Sequence, residues 1–215
     1  MKNLTAPLAE LEVFDRAKKH IRYEKSHLNI SGVIESQTSH LVYSLLHDMV
    51  KVVIAANEKK AKEIADDLKL YEGDQVMLYP SKDLIFYSAD VHSNDITKAR
   101  MIAIEKIFRE EPITLVMSVE ALVDPLLPKE TLKEYWLKFE TGQELDFTSL
   151  AKKLVYMGYE RVDIVEGRGQ FAIRGGILDL YPMNLDEMYR LELWGDEIDS
   201  IRLVNQETQR TIKSV

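Results

Sequence analysis

The sequence predicts an α/β protein in two parts, a partial parallel-sheet domain followed by a small α+β domain with an antiparallel sheet. First, short apolar segments alternate with amphipathic ones over residues 28–119, which is typical of parallel strands joined by helices. Second, after Pro125 and Pro128 strand-like segments follow one another across Gly and Asp turns. Third, the composition is 46% hydrophobic and 30% charged, as in chains that bury a core. We expect domains at residues 1–127 and 128–215.

The elements of the first part follow from its hydrophobic periodicity. Residues 7–20 predict an N-terminal helix, and three later helices are indicated by apolar residues at helical spacing. Asn57 is the expected cap of the second of these, and Asn94 or Asp95 of the third. The strand candidates are rich in Val, Ile and Leu: Leu28–Ile34, Lys51–Ala56, Gln75–Tyr79 and Ile113–Val119. Because four parallel strands are few for such a sheet, we expect sequence outside this chain to complete it.

The second part has the pattern of an antiparallel sheet with one helix. Residues 133–140 alternate like a half-buried strand, and Phe147–Met157 predicts a helix. Further strand-like segments then follow in close succession: Tyr159–Val165, Gln170–Tyr181, Tyr189–Trp194 and Glu197–Val204. The last eight residues, TQRTIKSV, are polar and predict no compact element.

Charge and cysteine content exclude several classes of protein. There are 28 basic and 36 acidic side chains, a net charge of −8, so a basic surface for nucleic acid is not expected. With no cysteine, a disulfide framework and a thiolate metal site are impossible. No apolar run is long enough to cross a bilayer and the N-terminus lacks the pattern of a signal peptide. We therefore expect a cytoplasmic protein with no membrane partner.

One segment aligns with the phosphate-binding loop G-x-x-x-x-G-K-[ST] but lacks half of its signature. Gly32 and Ser39 match the first glycine and the final hydroxyl residue. Gln37 stands in place of the second glycine and Thr38 in place of the lysine, so close backbone wrapping and the phosphate-binding cation are both lost. Glu35 adds a carboxylate beside the expected phosphate position. Taken alone, the match also fits an ordinary strand-to-helix turn, and we predict a degenerate, non-functional loop.

Other catalytic and metal-binding patterns are missing. The five histidines form no i,i+4 ligand pair, and no G-x-S-x-G elbow occurs. The paired acids lie in segments typical of solvated helices or turns. We predict no catalytic residue, no metal site and no cofactor, and hence no enzymatic activity for this chain.

Strand alternation points instead to a binding surface in the second part. If Leu191 and Leu193 face the core, Arg190 and Trp194 face away from it, and Arg174 lies on the outer side of its own strand. Tryptophan and arginine are the residue types most enriched at binding hot spots. An alternative is that Trp194 folds over the end of the sheet as a local plug.

Several motifs together resemble one family. The stretches YERVDIVEGRGQFAIRGGILDLYP, YRLELWGDEIDSIR and ETQRTI are most specific, and LYPSKDL, DITKARMIAIEKI and LVMSVEAL extend the likeness upstream. They resemble the N-terminal module of bacterial transcription-repair coupling factors, which is itself similar to the repair protein UvrB. The resemblance implies that residues 1–127 form a partial RecA-like domain, called 1a, which contains a decayed phosphate loop. It implies a UvrA-binding domain 2 over residues 128–215.

The resemblance also implies site residues and partners. The UvrA-binding positions of the family fall on Arg174, Arg190 and Trp194, with tryptophan in place of the usual phenylalanine. We therefore expect a non-catalytic adaptor that recruits UvrA to stalled transcription complexes in nucleotide excision repair. In the family, regions absent from this chain bind RNA polymerase and DNA. Another absent region is an autoinhibitory C-terminal domain.

Two alternatives remain open at this point. One is a UvrB-type helicase fragment that binds ATP and damaged DNA, although the interval Pro80–Asp95 is too short for the DNA-clamping hairpin of UvrB. The other is self-association through Trp194 and the arginine pair.

Overall fold

The computed structural model describes residue 8 and residues 10–24, 26–82 and 91–215, and for residues 91–94 it describes the backbone alone. The chain divides into two compact units: residues up to 89 with 102–124, and residues 90–101 with 125–215. Each unit has its own sheet, one parallel and one mostly antiparallel, so the predicted α/β class is confirmed. The boundary between residues 127 and 128 stays a prediction. No helix in the described part of the chain is long and apolar enough to span a bilayer.

The first unit has a three-stranded parallel sheet in the order β1-β3-β2. Its strands are β1 (Lys51–Ala55), β2 (Val76–Tyr79) and β3 (Thr114–Ser118). Its longer helices are α1 (Glu12–Lys19), α2 (Thr38–Leu46) and α3 (Glu58–Glu72), and the short α5 (Val119–Val123) follows β3. Helix α4 (Val91–Phe108) begins in the second unit and ends in the first. A π-helical turn spans His20–Glu24, and 3-10 turns span Glu35–Gln37 and Gly73–Gln75.

Helix α3 covers one face of this sheet for reasons that are visible in its sequence. Asn57 caps it as predicted, with the Asn57 Oδ1 accepting from the Lys60 N–H at 2.9 Å. Its apolar residues at helical spacing pack against Val76 of β2 and Val116 of β3, which form a buried cluster with the helix. The predicted cap of α4 is wrong, because that helix begins at Val91 and continues through residues 94 and 95.

The predicted strand Leu28–Ile34 is also wrong. Residues 27–34 have no regular structure, and Ile30 and Ile34 are 43% and 59% exposed. A strand needs a neighbouring backbone to complete its hydrogen bonds, and among the described residues β1 is bonded only to β3. Apolar β-branched residues favour a strand but do not supply that partner.

The second unit has a six-stranded sheet in sequential order from β4 to β9, antiparallel except for the β4–β5 pair. The strands are β4 (Glu160–Arg161), β5 (Gln170–Arg174), β6 (Ile177–Tyr181), β7 (Met188–Trp194), β8 (Glu197–Val204) and β9 (Thr211–Ser214). Two helices precede them, α6 (Lys129–Glu134) and α7 (Phe147–Tyr156). Helix α7 is capped by Asp146, which accepts from two N–H groups of its first turn at 2.8 and 3.1 Å.

Two predictions for this unit fail, and two are only partly right, since the strand predicted over Tyr159–Val165 is limited to β4 and that over Gln170–Tyr181 is divided into β5 and β6. Residues 133–140 form no strand, because α6 occupies the first two of them and the rest lack regular structure. The polar C-terminal segment does form an element, since β9 pairs with β8 through Lys213 opposite Leu203. Strand pairing can recruit polar residues at an edge, which their own sequence does not announce.

Candidate arginine and tryptophan face

One face of the six-stranded sheet carries the residues singled out from the sequence. The register places Asp179 of β6 opposite Arg190 of β7, and Ala172 of β5 on its other side. Arg174 lies two residues beyond Ala172 on the same strand and therefore on the same face. This surface, formed by Arg174, Asp179, Arg190 and Trp194, is called the arginine–tryptophan face below.

The opposite face of the sheet is the core, which explains the orientation. Phe171, Leu178 and Leu191 are fully or almost fully buried there, together with Leu150 and Leu154 of α7. Strand residues alternate between faces, so burying these side chains directs their neighbours to the other face. Part of that face is itself covered, since Ala172, Tyr181 and Met188 form a second buried cluster there. The face assignment inferred from alternation in β7 is therefore confirmed.

Asp179 is the centre of the arginine–tryptophan face. Its side chain is only 1% exposed. Arg190 donates from Nε to the Asp179 Oδ1 at 2.6 Å and from Nη2 to the Asp179 Oδ2 at 2.9 Å. Arg174 donates from Nη2 to the same Oδ2 at 2.5 Å. A buried carboxylate is strongly destabilising unless it is paired, and here two guanidinium groups satisfy it.

The pairing has an electrostatic consequence. The hydrogen bond to Asp179 raises the pKa of Arg190, with a further contribution from the negative charge of that carboxylate. Next to it, Arg202 of β8 lies opposite Arg190, and its Nη2 is 2.9 Å from the Glu192 Oε2. These three arginines and two carboxylates sum to one positive charge, which the carboxylate of Glu197, opposite Trp194, offsets.

Trp194 lies at the end of β7 with 84% of its surface exposed. The alternative in which its indole covers the end of the sheet is therefore wrong. The turn between β5 and β6 lies against this strand, because the Leu193 N–H donates to the Gly176 oxygen at 2.7 Å. A Cβ atom on Gly176 would come within 3.1 Å of the Leu193 oxygen, and Gly175 has φ +60°. Two glycines are needed here, and they leave bare backbone beside the arginine–tryptophan face.

The predicted degenerate phosphate loop lies in the first unit. Gly32 has φ +79°, Glu35 and Gln37 lie in a 3-10 turn, and Thr38 begins α2. The Glu35 carboxylate forms an ion pair with Lys60 of α3, and the hydrogen bond from Lys60 lowers its pKa.

The hydroxyl that would bind magnesium in an intact phosphate loop has another partner here. Ser39 is 3% exposed, and its Oγ donates to the Asp67 Oδ2 of α3 at 3.2 Å. The segment also lacks the preceding strand that the comparison with a phosphate loop assumes. Among the described residues, no three His, Asp or Glu side chains come together in a way that could hold a metal ion. Part of the interval Pro80–Asp95, residues 83–90, lies outside the described residues.

Asp179 is the one residue of the arginine–tryptophan face that the sequence reasoning did not single out. A signal was available, since the segment Ile177–Tyr181 has a single acid within an otherwise apolar strand. An isolated carboxylate in such a position is rarely buried without a cationic partner. The two arginines on neighbouring strands are those partners.

The arginine–tryptophan face lies within a domain of a known class. Residues 137–215 match the family model of the UvrB interaction domain, and this range includes all six strands of the second sheet. The match covers most of the second unit.

Several transcription-repair-coupling factors resemble the chain over most of its length. That of Bacillus subtilis (strain 168) is 34% identical over 189 residues, which cover 86% of this chain and 16% of the relative. Those of Mycobacterium tuberculosis (strain CDC 1551 / Oshkosh) and Escherichia coli (strain K12) are 32% and 30% identical, over 76% of this chain and 14% of each relative. The chain thus spans about one seventh of the length of these curated relatives. The resemblance inferred from the motifs is confirmed.

Proposed function

We propose that this chain is a non-catalytic adaptor that binds UvrA through the arginine–tryptophan face and thereby serves transcription-coupled nucleotide excision repair. The observation that carries the proposal is an 84% exposed tryptophan on the same sheet face as two arginines gathered by one buried carboxylate. Such a surface offers an apolar anchor beside charge-assisted hydrogen-bond donors. Its position inside a UvrB interaction domain supports UvrA as the partner.

The mechanism needs only recognition. The arginine pair presents positive charge and N–H donors to acidic groups of UvrA, while the indole of Trp194 enters an apolar pocket of the partner. The bare backbone at Gly175 and Gly176 allows close approach beside the indole. In this proposal the first unit, a partial RecA-like domain, is a scaffold. Contacts with RNA polymerase and DNA, and an autoinhibitory C-terminal domain, belong to regions outside these 215 residues.

A calorimetric titration of UvrA into the full chain tests the proposal. We expect saturable binding by the parent and at least a hundredfold loss in the triple variant Arg174→Ala, Arg190→Ala, Trp194→Ala. The matched control is Lys152→Ala with Tyr156→Ala, which removes one cation and one exposed aromatic from α7, on the other side of the sheet. Circular dichroism verifies that each variant is folded. Binding by a folded triple variant as tight as that of the parent rejects this surface.

The helicase alternative predicts that the first unit binds ATP, whereas the adaptor proposal predicts that it does not. We propose that the segment from Gly32 to Ser39 does not hold nucleotide. The hydrogen bond from Ser39 to Asp67 and the ion pair between Glu35 and Lys60 support this. Titration with a fluorescent ATP analogue, with and without Mg²⁺, is the test. Tight magnesium-dependent binding would favour the helicase fragment. Light scattering separately tests self-association.

A further inference from the structure

The two arginines of the arginine–tryptophan face use their donors differently. A guanidinium has five N–H donors on three nitrogens, and two of its edges can form a bidentate pair with a carboxylate. Arg190 directs its Nε and Nη2 edge at Asp179, one bond to each oxygen, at 2.6 and 2.9 Å. Arg174 directs a single nitrogen, Nη2, at Asp179, with a bond of 2.5 Å to Oδ2. The Nε and Nη1 of Arg174 are thus not used by this carboxylate.

Exposure follows the same division. The side chain of Arg190 is 18% exposed, whereas that of Arg174 is 51% exposed. A half-exposed arginine with unused donors is able to receive a carboxylate from a partner. A mostly covered arginine in a bidentate pair has less to offer and is held in one orientation.

We propose that Asp179 is a positioning residue that fixes Arg190 and through Oδ2 orients Arg174, and that Arg174 is the arginine that receives a carboxylate of the partner. The inference rests on the proposed function and goes beyond it, since it divides the roles within the arginine–tryptophan face. The face then recognises one acidic side chain next to an apolar group, rather than two acids of equal importance.

The shared oxygen is the reason that Asp179 controls both arginines. Its Oδ2 accepts from Arg174 and from Arg190. Loss of its charge would leave two guanidinium groups close together without a counter-ion, and each would turn away from the other. The orientation of Arg174 that suits a partner's carboxylate would then have to be restored at the moment of binding, which weakens affinity.

The test measures side-chain hydrogen exchange by NMR and UvrA affinity on the same full chain. The variants are Asp179→Asn, which keeps the shape and removes the charge, and Leu150→Ala, which removes buried volume from the core on the opposite face of the sheet. In the parent we expect the Arg190 Nε–H to exchange at least tenfold more slowly than that of the exposed Arg210. In Asp179→Asn we expect that protection to be lost and the affinity for UvrA to fall at least tenfold. Leu150→Ala should keep both.

The outcomes separate this inference from the proposed function. A parent that does not bind UvrA rejects the proposed function, and the exchange of the Arg190 Nε–H still decides whether Asp179 fixes that side chain. Exchange as fast as that of Arg210 in the parent overturns the positioning role. So does a folded Asp179→Asn variant with the affinity of the parent. Equal losses of affinity in Asp179→Asn and Leu150→Ala would also overturn it, because general destabilisation would then account for the effect.

The division of roles has its own measurement. Replacing Arg174 by lysine keeps the charge but removes the planar fork, whereas Arg190→Lys removes the bidentate bond to Asp179. We expect Arg174→Lys to weaken binding of UvrA with unchanged protection of the Arg190 Nε–H. We expect Arg190→Lys to shift the unfolding midpoint downward. Unchanged affinity in Arg174→Lys contradicts the role given to that residue.

Discussion

Replacing Trp194 by alanine separates binding from folding, because the folded chain covers little of the indole. Trp194 is 84% exposed, so folding removes only about a sixth of its surface from water. For a side chain of about 250 Å² this is about 40 Å², worth about 1 kcal/mol at about 25 cal/mol per Å². We therefore expect Trp194→Ala to lower the free energy of unfolding by no more than about 1 kcal/mol.

The cost in binding should be much larger. Covering the remaining ~200 Å² in a pocket of the partner has an upper limit of about 5 kcal/mol. Truncation of central aromatic anchors costs about 2–4 kcal/mol, because part of this gain offsets ordering and desolvation. Affinity for UvrA should thus fall by about 30- to 1,000-fold. Calorimetric titration measures the affinity, and urea unfolding monitored by circular dichroism measures the stability.

The matched control is Tyr156→Ala on α7, where the side chain is 78% exposed. It removes a comparable exposed aromatic from the other side of the sheet and should leave the affinity unchanged. An affinity of Trp194→Ala within about threefold of the parent would refute the hot-spot argument, since no anchor of this size loses so little. A loss of unfolding free energy well above about 2 kcal/mol would refute the other half, because an exposed indole does not stabilise the fold that much.

Three further predictions concern stability. Arg190→Ala should lower the free energy of urea unfolding by about 2–3 kcal/mol, because it removes two charge-assisted hydrogen bonds to Asp179. Arg174→Ala should lower it by less than about 1 kcal/mol, because that side chain is half exposed. Equal losses in the two variants would contradict this. Phe171→Ala should cost about 3–5 kcal/mol, since the ring is completely buried, and a loss below about 1 kcal/mol would be inconsistent with that core. Hydrogen bonds from the hydroxyl of Ser149 and from two backbone N–H groups lower the pKa of Asp146. The ionised carboxylate therefore stabilises the fold fully above its ordinary pKa of 3.8, and this contribution is lost as the pH falls through the lowered pKa. The difference in unfolding midpoint between the parent and Asp146→Ala should therefore shrink as the pH falls through the lowered pKa, and a difference that does not change with pH would rule out the charged cap as its cause.

Local patterns predicted those elements whose formation depends on nearby residues. The cap of α3 at Asn57 depends on an N–H group three residues later, so the sequence contains all of the interaction. The alternation in Met188–Trp194 assigns each side chain to a face once one residue is known to be buried. The helix predicted over Phe147–Met157 is also confirmed and ends one residue earlier, at Tyr156, because its apolar spacing is likewise a local pattern.

Predictions failed where a distant segment makes the decision. The apolar stretch from Leu28 to Ile34 has strand propensity but no bonded neighbour among the described residues. The polar segment Thr211–Ser214 has little strand propensity, yet the edge of β8 supplies its hydrogen bonds. In both cases the ladder, which a local pattern does not contain, outweighs propensity.

By itself the sequence determined which side chains of the second sheet are available on one face, because side-chain direction in a strand has a period of two residues. It also determined the class of domain, through motifs that lie between residues 159 and 212. Only the tertiary structure decided that Asp179 joins Arg174 to Arg190. That contact depends on the register of three strands. A shift of one residue between any two of them would place Asp179 and an arginine on opposite faces of the sheet and so separate their charges.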